Sequence, residues 1–202
     1  MTAAEKFLSL YDELLALPDG VRGEVIAGEL HTSPRPSVRH QAVSRGATVD
    51  LGGPFDFGRN GPGGWFFLSE PELRLGSDSS APDVLSPDLA GWRRERLPQL
   101  PPTNAIDLAP DWVCEILSPS TANRDLGVKR AAYAAAGVEH LWFVNLEHRT
   151  LTALRLGAEG YVMVYTTGPD RAARVPPFDH EPIDVAQFFG LEPEETPTGE
   201  GA

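Results

Sequence analysis

The chain carries acidic side chains on several predicted strands and a lysine shortly after the last of them. The acids are Glu24, either Asp83 or Asp88, and Glu115, and the lysine is Lys129. Carboxylates gathered from separate strands are the oxygen ligands that Mg²⁺ takes, usually completed by water and substrate phosphates. In phosphodiester hydrolysis such an ion polarises phosphorus and holds the attacking water, while a nearby ammonium orients that water and offsets negative charge.

Glu115 is the acid whose position most needs an explanation. It lies inside the apolar run WVCEIL at residues 112–117, which has the length and composition of a strand covered on both faces. Because an ionised carboxylate is rarely buried without a partner, we expect Glu115 to be half of an ion pair or a metal ligand. Cys114, in the same run, is interpreted as a small core residue rather than a nucleophile.

Lys129 has two interpretations. A helix is predicted between the caps at residues 118–121 and Gly137, and its spacing puts Lys129 on the face that packs against the sheet. The apolar residues predicted to share that face are Leu126, Ala132, Tyr133 and Ala136. Alternatively, Lys129 pairs with Asp125 at the surface, an interaction worth only about 0.2–0.5 kcal/mol. That pair would explain Lys129 but not Glu115.

The residues alone decide neither the role of Glu24 nor the identity of the second acid. Glu24 lies in the first arm of a predicted hairpin around Ala27–Gly28, where an exposed glutamate on the polar side would be just as reasonable. Asp83 and Asp88 each follow a proline in the stretch APDVLSPDLAGW, and the spacing does not separate them.

The elements that must position these residues follow from periodicity and turn signals. The strand of Glu115, the helix of Lys129 and a buried strand at residues 141–144 predict a parallel pair with a right-handed crossover. Further elements are expected as an amphipathic helix at residues 7–15, a helix at 38–51, a strand at 65–75 interrupted near Pro71, a strand at 81–92, a hairpin of residues 150–156 with 161–167, and a short helix at 185–189.

Three other features invite a functional interpretation but have simpler ones. His40, in the first turn of its helix, could bind phosphate or metal, although a solvent-facing histidine is commoner. The glycine-rich run at residues 52–64 matches no phosphate-binding pattern and is expected to be a mobile surface loop. The basic cluster of Arg93, Arg94 and Arg96 could meet phosphates at the mouth of a site, or form a solvated turn.

Composition limits the class of protein. The chain has 202 residues and a net charge of −12, which argues against broad electrostatic capture of nucleic acid. No signal peptide or membrane-length apolar run is present, so a cytoplasmic protein without a membrane partner is expected. Residues 1–190 are expected to form a single domain, and residues 191–202 an acidic, disordered tail.

The central run PDWVCEILSPSTANRDLGVKRAAYAAAGVEHLWFVN resembles the signature of the Uma-type putative restriction endonuclease family of bacteria, formerly a domain of unknown function. The resemblance extends through GEVIAGEL, PRPSVRHQ and PDLAGWRRERLP to the final hairpin. Members of this family are similar to the PD-(D/E)xK nuclease superfamily. The resemblance therefore implies an α+β, restriction-endonuclease-like fold with a mixed β-sheet core flanked by helices and with antiparallel hairpins.

The resemblance also assigns roles to residues. Glu24 matches the early acid, Asp88 the acid of the Pro-Asp motif, and Glu115 the acid of the E-x-K motif, so that these three would bind Mg²⁺, or Mn²⁺ in its place. The superfamily lysine should lie two residues after Glu115, but Leu117 stands there. The family pattern has a lysine in the following helix instead, which corresponds to Lys129. Asp88 is preferred over Asp83 because an apolar piece and basic residues follow it, as in the family.

The function implied by the resemblance is a Mg²⁺-dependent endonuclease that hydrolyses DNA phosphodiester bonds, with Glu24, Asp88, Glu115 and Lys129 as catalytic residues. Its expected partner is DNA, and a homodimer is plausible because many nucleases cut two strands with two subunits. The alternative is a catalytically idle or regulatory oligomeric module that keeps the nuclease fold and binds proteins through its acidic surface.

Overall fold

Two mixed β-sheets organise the residues that the computed structural model describes, which are 2–76, 80–169 and 172–190. The strands are β1 (Val21–Ile26), β2 (Glu29–Pro34), β3 (Trp65–Ser69), β4 (Glu72–Leu75), β5 (Asp83–Leu85), β6 (Leu89–Arg93), β7 (Ala105–Ile106), β8 (Trp112–Leu117), β9 (His140–Asn145), β10 (Thr150–Gly157) and β11 (Gly160–Thr167). The helices are α1 (Ala3–Leu15), α2 (Val38–Leu51), α3 (Ala122–Arg124), α4 (Arg130–Ala135) and α5 (Val185–Phe188), with π-helical turns at Gly52–Asp56 and Asp125–Lys129.

The larger sheet has the strand order β11-β10-β9-β8-β6-β3, and the smaller one the order β2-β1-β5-β4-β7. Strands β8 and β9 are parallel, joined through α3 and α4, as the strand–helix–strand pattern predicted. The hairpins β1–β2 and β10–β11 are antiparallel. The α+β fold, with mixed sheets flanked by helices, is therefore confirmed.

The apolar core lies on both faces of the larger sheet because side chains alternate along its strands. In β8, Trp112, Cys114 and Ile116 face a cluster built with α2, α5 and Phe178. Val113 and Leu117 face a second cluster, which the smaller sheet and α4 cover. Glu115 shares the face of that second pair, so its carboxylate points into the space between the two sheets.

Local sequence explains several element boundaries. Helix α1 begins with a capping box, in which the Thr2 hydroxyl accepts a hydrogen bond from the Glu5 amide and the Glu5 carboxylate accepts one from the Thr2 amide. The β1–β2 turn holds Ala27 at φ 52° and Gly28 at φ 73°, as a tight two-residue hairpin requires. Helix α2 spans the predicted residues and is capped by the Ser37 hydroxyl.

Four predictions about elements and their faces were wrong. Each strand expected at residues 65–75 and 81–92 is instead two strands that belong to different sheets. The glycine-rich run does not begin as a loop, because Gly52–Asp56 continues α2 as a π-helical turn with Phe55 buried. Leu126 is 46% exposed instead of facing the sheet. The predicted tail at residues 191–202 lies outside the described residues.

Candidate functional site

The two sheets meet at one pocket, and the four residues predicted to do chemistry all line it. Glu24 comes from β1 of the smaller sheet and Glu115 from β8 of the larger one. Asp88 stands where the chain passes from one sheet to the other, just before β6. Lys129 ends the second π-helical turn. The pocket has a volume of about 560 Å³.

Lys129 is buried among acids. Its Nζ lies 2.7 Å from Oε1 of Glu115 and 2.9 Å from Oε1 of Glu24, whereas Oδ1 of Asp125 is 3.8 Å away. The residue is only 2% exposed. Burial disfavours its ammonium form, but attraction from Glu115, Glu24 and Asp125 outweighs burial and raises the pKa of Lys129. The interpretation of Lys129 as a surface partner of Asp125 alone is therefore wrong.

Lys129 ends a π-helical turn. The Arg130 amide donates to the Asp125 carbonyl, five residues back, so this turn holds more residues than an α-helical turn. Asp125, Lys129 and Tyr133 are each four residues apart, a spacing that places side chains on one helix face, and all three are buried. Leu126, predicted to share that face, is instead exposed to solvent beside this wider turn.

Asp88 is held by three neighbours. Its Oδ2 accepts a 2.7 Å hydrogen bond from the Ile116 amide and lies 3.2 Å from Nε2 of His40, while its Oδ1 is 3.4 Å from Nη1 of Arg22. Burial would raise the pKa of Asp88, but the hydrogen bond and charge of His40, with the Ile116 amide and Lys129, lower it. The expectation of a solvent-facing His40 was wrong, since His40 is 7% exposed and contacts a candidate catalytic acid.

Glu115 is the most deeply placed acid. Its Oε1 accepts a 2.6 Å hydrogen bond from the Tyr133 hydroxyl in addition to the contact with Lys129. Burial raises the pKa of Glu115 to about 8, opposed by Lys129 and assisted by the charges of Asp125, Asp88 and Glu24. Burial is therefore the main reason why the ionised form of Glu115 is disfavoured.

Glu24 links the hairpin to the sheet junction. Its Oε1 accepts a 2.9 Å hydrogen bond from the Ser86 amide, and its Oε2 lies 3.6 Å from Nε of Arg124. At 5% exposure, Glu24 is not the exposed hairpin glutamate that the sequence also allowed.

Two sets of predicted residues lie elsewhere. Asp83, the alternative to Asp88, accepts a hydrogen bond from the Ala27 amide and so stabilises the β1–β2 turn. The basic cluster is occupied by structural contacts: Arg93 lies 4.7 Å from the Trp65 ring centroid, Arg94 pairs with Asp56, and Arg96 pairs with Asp111. These contacts make the arginines part of the β6 turn rather than of the pocket mouth.

Sequence reasoning missed the basic residues that do line the pocket, namely Arg22, Arg35, Arg39 and Arg124. Arg35 and Arg39 lie within the motif PRPSVRHQ, and Arg124 within the central run. No sequence pattern identified these arginines as pocket residues. What places them near the acids is the packing of the β1–β2 hairpin and α2 against β8.

The residues present suit a divalent cation in type. Asp88 and Glu115 supply carboxylate oxygens, the ligands that Mg²⁺ and Mn²⁺ prefer. Within residues 2–76, 80–169 and 172–190, however, no group of three or more His, Cys, Asp or Glu side chains is arranged to hold a metal ion. Metal binding by Glu24, Asp88 and Glu115 stays a prediction.

No helix in the described part of the chain is long and apolar enough to cross a membrane. The fold is similar to a solved crystal structure described as a putative nuclease belonging to DUF820 from Anabaena variabilis ATCC 29413. The two share 21% identity and a TM-score of 0.68, over 89% of this chain and 96% of that one. A comparison with curated proteins gave no match.

A family model describes most of the sequence. The model named Uma2, with the description "Putative restriction endonuclease", matches residues 5–181. That range contains the pocket and all four residues at its base. The chain therefore belongs to the Uma2 family of putative restriction endonucleases.

Proposed function

We propose that the protein is a Mg²⁺-dependent endonuclease that hydrolyses DNA phosphodiester bonds, and that Mn²⁺ can replace Mg²⁺. The observation that carries the proposal is the buried contact of Lys129 with Glu115 and Glu24, beside Asp88, at the base of an open pocket. Family membership supports it, since restriction-endonuclease-like proteins generally use divalent metal ions.

Asp88 and Glu115 would hold the ion, and Glu24 would join them directly or through water. When bound, a divalent cation supplies Lewis-acid polarisation of the phosphodiester and a water of lowered pKa. The Ile116 amide and His40 fix the orientation of Asp88, and the Tyr133 hydroxyl fixes that of Glu115. Such supporting hydrogen bonds commonly change metal affinity 10–100-fold when removed.

Lys129 acts as a donor rather than a base. Because its pKa is raised, the side chain keeps its proton at neutral pH and can only donate hydrogen bonds. Its ammonium would orient the attacking water and offset charge on the phosphate. The water oxygen then bonds to phosphorus, one P–O ester bond breaks, and the departing oxygen takes up a proton as the water loses one. The products are a phosphomonoester and an alcohol.

Nicking of DNA tests this proposal. Supercoiled, linear and single-stranded DNA would each be incubated with the protein and Mg²⁺ or Mn²⁺, with EDTA as the metal-free control. We expect cleavage that Lys129→Ala abolishes. The matched control is Lys6→Ala, because Lys6 is the only other lysine and is exposed on α1. Equal cleavage by both variants would show that the pocket does not carry the activity.

Metal binding is tested separately by calorimetry with Mg²⁺ and Mn²⁺. Glu115→Ala should lose binding, whereas Glu139→Ala, at a glutamate 46% exposed in its side chain, should keep it. Equal binding by the wild type and Glu115→Ala would remove Glu115 from the mechanism.

One observation favours the idle module as a second candidate. The acids at the pocket base already contact Lys129, Arg22, Arg124 and His40, and the chain carries a net charge of −12. A folded protein that binds no divalent metal and nicks none of the DNA forms would support that candidate. The predicted homodimer would be measured by light scattering in the same preparations.

A further inference from the structure

Two arginines at the rim of the pocket have no partner among the described residues. Arg35 follows β2 and Arg39 lies in the first turn of α2; both are exposed and both line the pocket. Within residues 2–76, 80–169 and 172–190, neither guanidinium has a hydrogen bond or ion pair. Their donors are therefore free for a ligand.

Several arginines elsewhere serve the fold: Arg74 contacts Asp107 through two hydrogen bonds, and Arg96 pairs with Asp111 at 2.7 Å. Arg45 has no hydrogen bond or ion pair among the described residues either, but it does not line the pocket. The combination of unpaired guanidinium groups and buried carboxylates in one pocket marks a place where an anion can approach an otherwise acidic protein.

The opposite wall of the pocket also presents donors. Ser118, Ser120 and Thr121 form a hydroxyl cluster in which Ser118 Oγ lies 3.0 Å from each of the other two oxygens. Arg124 lies next to it, with its Nε 3.6 Å from Oε2 of Glu24. An anionic strand between these walls would meet donors on both sides and the catalytic residues below.

We infer that Arg35 and Arg39 bind backbone phosphates of a single-stranded stretch of nucleic acid, which enters between the β2–α2 connection and the turn at residues 118–121. The inference rests on the proposed nuclease function and names the form of its substrate. Guanidinium groups suit phosphates because their planar donors pair with two phosphate oxygens at once.

The depth of the site favours a single strand over a duplex. Glu115 and Lys129 are each 2% exposed, and Asp88 and Glu24 are each 5% exposed, so a reacting phosphate must descend into the pocket. A volume of about 560 Å³ is typical of a small-ligand pocket. A single strand can bend a phosphate into such a space, whereas a stacked duplex keeps its phosphates on a stiff outer surface.

The distribution of charge leads to the same conclusion. Duplex DNA carries one negative charge per about 1.7 Å of its axis, so duplex binding needs an extended basic surface. The chain has a net charge of −12, and its exposed cations at the pocket are Arg35 and Arg39. Few phosphate contacts are expected, and these lie next to the catalytic residues.

The test measures binding without cleavage. Fluorescence anisotropy of a short labelled oligothymidylate would be recorded with Ca²⁺ in place of Mg²⁺, for the wild type, Arg35→Gln, Arg39→Gln and the double variant. Arg45→Gln is the matched control, because Arg45 is exposed on the same helix as Arg39 and is not a lining residue of the pocket. The same labelled oligothymidylate, annealed to its complement, is measured in parallel to compare duplex with single-strand binding.

We expect each pocket variant to weaken single-strand binding about tenfold, as loss of a charge-assisted hydrogen bond does. The slope of log K against log salt should fall in magnitude by about 0.7 for each phosphate that the variant no longer binds. Arg45→Gln should bind like the wild type, and the duplex should bind more weakly than the single strand. Unchanged binding by the double variant, equal weakening by Arg45→Gln, or tighter duplex binding would each overturn the inference.

Failure of this inference is distinguishable from failure of the nuclease proposal. Cleavage that depends on Lys129, together with normal binding by the arginine variants, would contradict phosphate binding by Arg35 and Arg39 but would support the nuclease proposal. Single-strand binding that depends on Arg35 and Arg39, without cleavage under any metal, would support the inference and overturn the nuclease.

Discussion

The Nζ atom of Lys129 lies 2.7 Å from Oε1 of Glu115, and both residues are 2% exposed. Breaking such a buried pair by removing one partner typically costs about 3–5 kcal/mol, because the remaining charge stays buried. We predict a loss of this size in the free energy of unfolding of Lys129→Met, measured by urea denaturation. Lys6→Met should change it by less than about 0.5 kcal/mol.

Coupling between the two side chains provides a second measurement of the same pair. The double variant Lys129→Met with Glu115→Gln should be less destabilised than the sum of the single variants, by about 1 kcal/mol or more. Strict additivity would mean that the two charges do not interact in solution.

Tyr133→Phe should destabilise the protein through Glu115. The variant deletes a hydroxyl that donates to a fully buried carboxylate at 2.6 Å and leaves Oε1 of Glu115 with Lys129 as its remaining contact. A hydrogen bond to a charged group contributes about 1.5–3 kcal/mol. The matched control is Tyr11→Phe, whose hydroxyl donates to Glu72 at 2.7 Å in a partly exposed place where water can replace it. A loss for Tyr11→Phe as large as that for Tyr133→Phe would contradict the role given to burial.

His40→Ala should weaken Mn²⁺ binding because His40 holds Asp88 in position, although His40 is not itself a proposed ligand. His40 contacts Oδ2 of Asp88 at 3.2 Å, and removal of such an outer partner typically costs 10–100-fold in metal affinity. Calorimetry would compare it with His180→Ala, at a largely exposed histidine that contacts Glu181. Equal affinity for the two variants would exclude His40 from holding the ligand in place.

Substitution by alanine should change stability in opposite directions at two helical glycines, Gly46 and Gly127. A Cβ on Gly46 would lie 2.9 Å from the Gln187 carbonyl oxygen and from Cα of Phe188, where α2 meets α5. Gly46→Ala should therefore cost about 1–3 kcal/mol by overpacking. A Cβ on Gly127 would meet nothing within 4 Å, so Gly127→Ala should add about 0.4–1 kcal/mol by restricting the unfolded chain. Thermal or urea unfolding would measure both.

Asp50 should make stability depend on pH. Burial raises the pKa of Asp50 from 3.8 to about 6, although the Asp184 amide opposes the shift. Between these values the folded state binds more protons than the unfolded state, so stability falls as pH rises from about 4 to 6. Asp50→Asn should flatten that slope and gain roughly 1 kcal/mol at pH 7, allowing for solvent screening of a half-exposed group. An unchanged slope between pH 4 and 6 would contradict the assignment.

The sequence predicted the parts of the fold that local pattern controls. The apolar run around Glu115 predicted β8, and the caps and spacing predicted α2 at the residues it occupies. The burial argument also predicted that Glu115 needs a partner, which proved to be Lys129 with Tyr133. These features depend on residues close in sequence or on the general cost of a buried charge.

Other features depend on distances across the fold and could not be predicted. The approach of Arg35 and Arg39 to the acids requires the packing of α2 against β8. The inward position of His40 depends on the same contact. The pairing of Arg94 with Asp56 and of Arg96 with Asp111 could not be predicted from a basic cluster, because each acid lies in a distant segment.

The π-helical turn at Asp125–Lys129 absorbs one residue without turning the buried face of the helix away from the site. Successive residues of an α-helix are rotated by about 100° around its axis. If one residue were deleted from this turn, Asp125 would precede Lys129 by three residues and Tyr133 by seven, and both spacings lie on one face of an α-helix. A one-residue deletion here should therefore leave the three side chains on a common face, whereas a substitution of any of them removes a contact of the pocket.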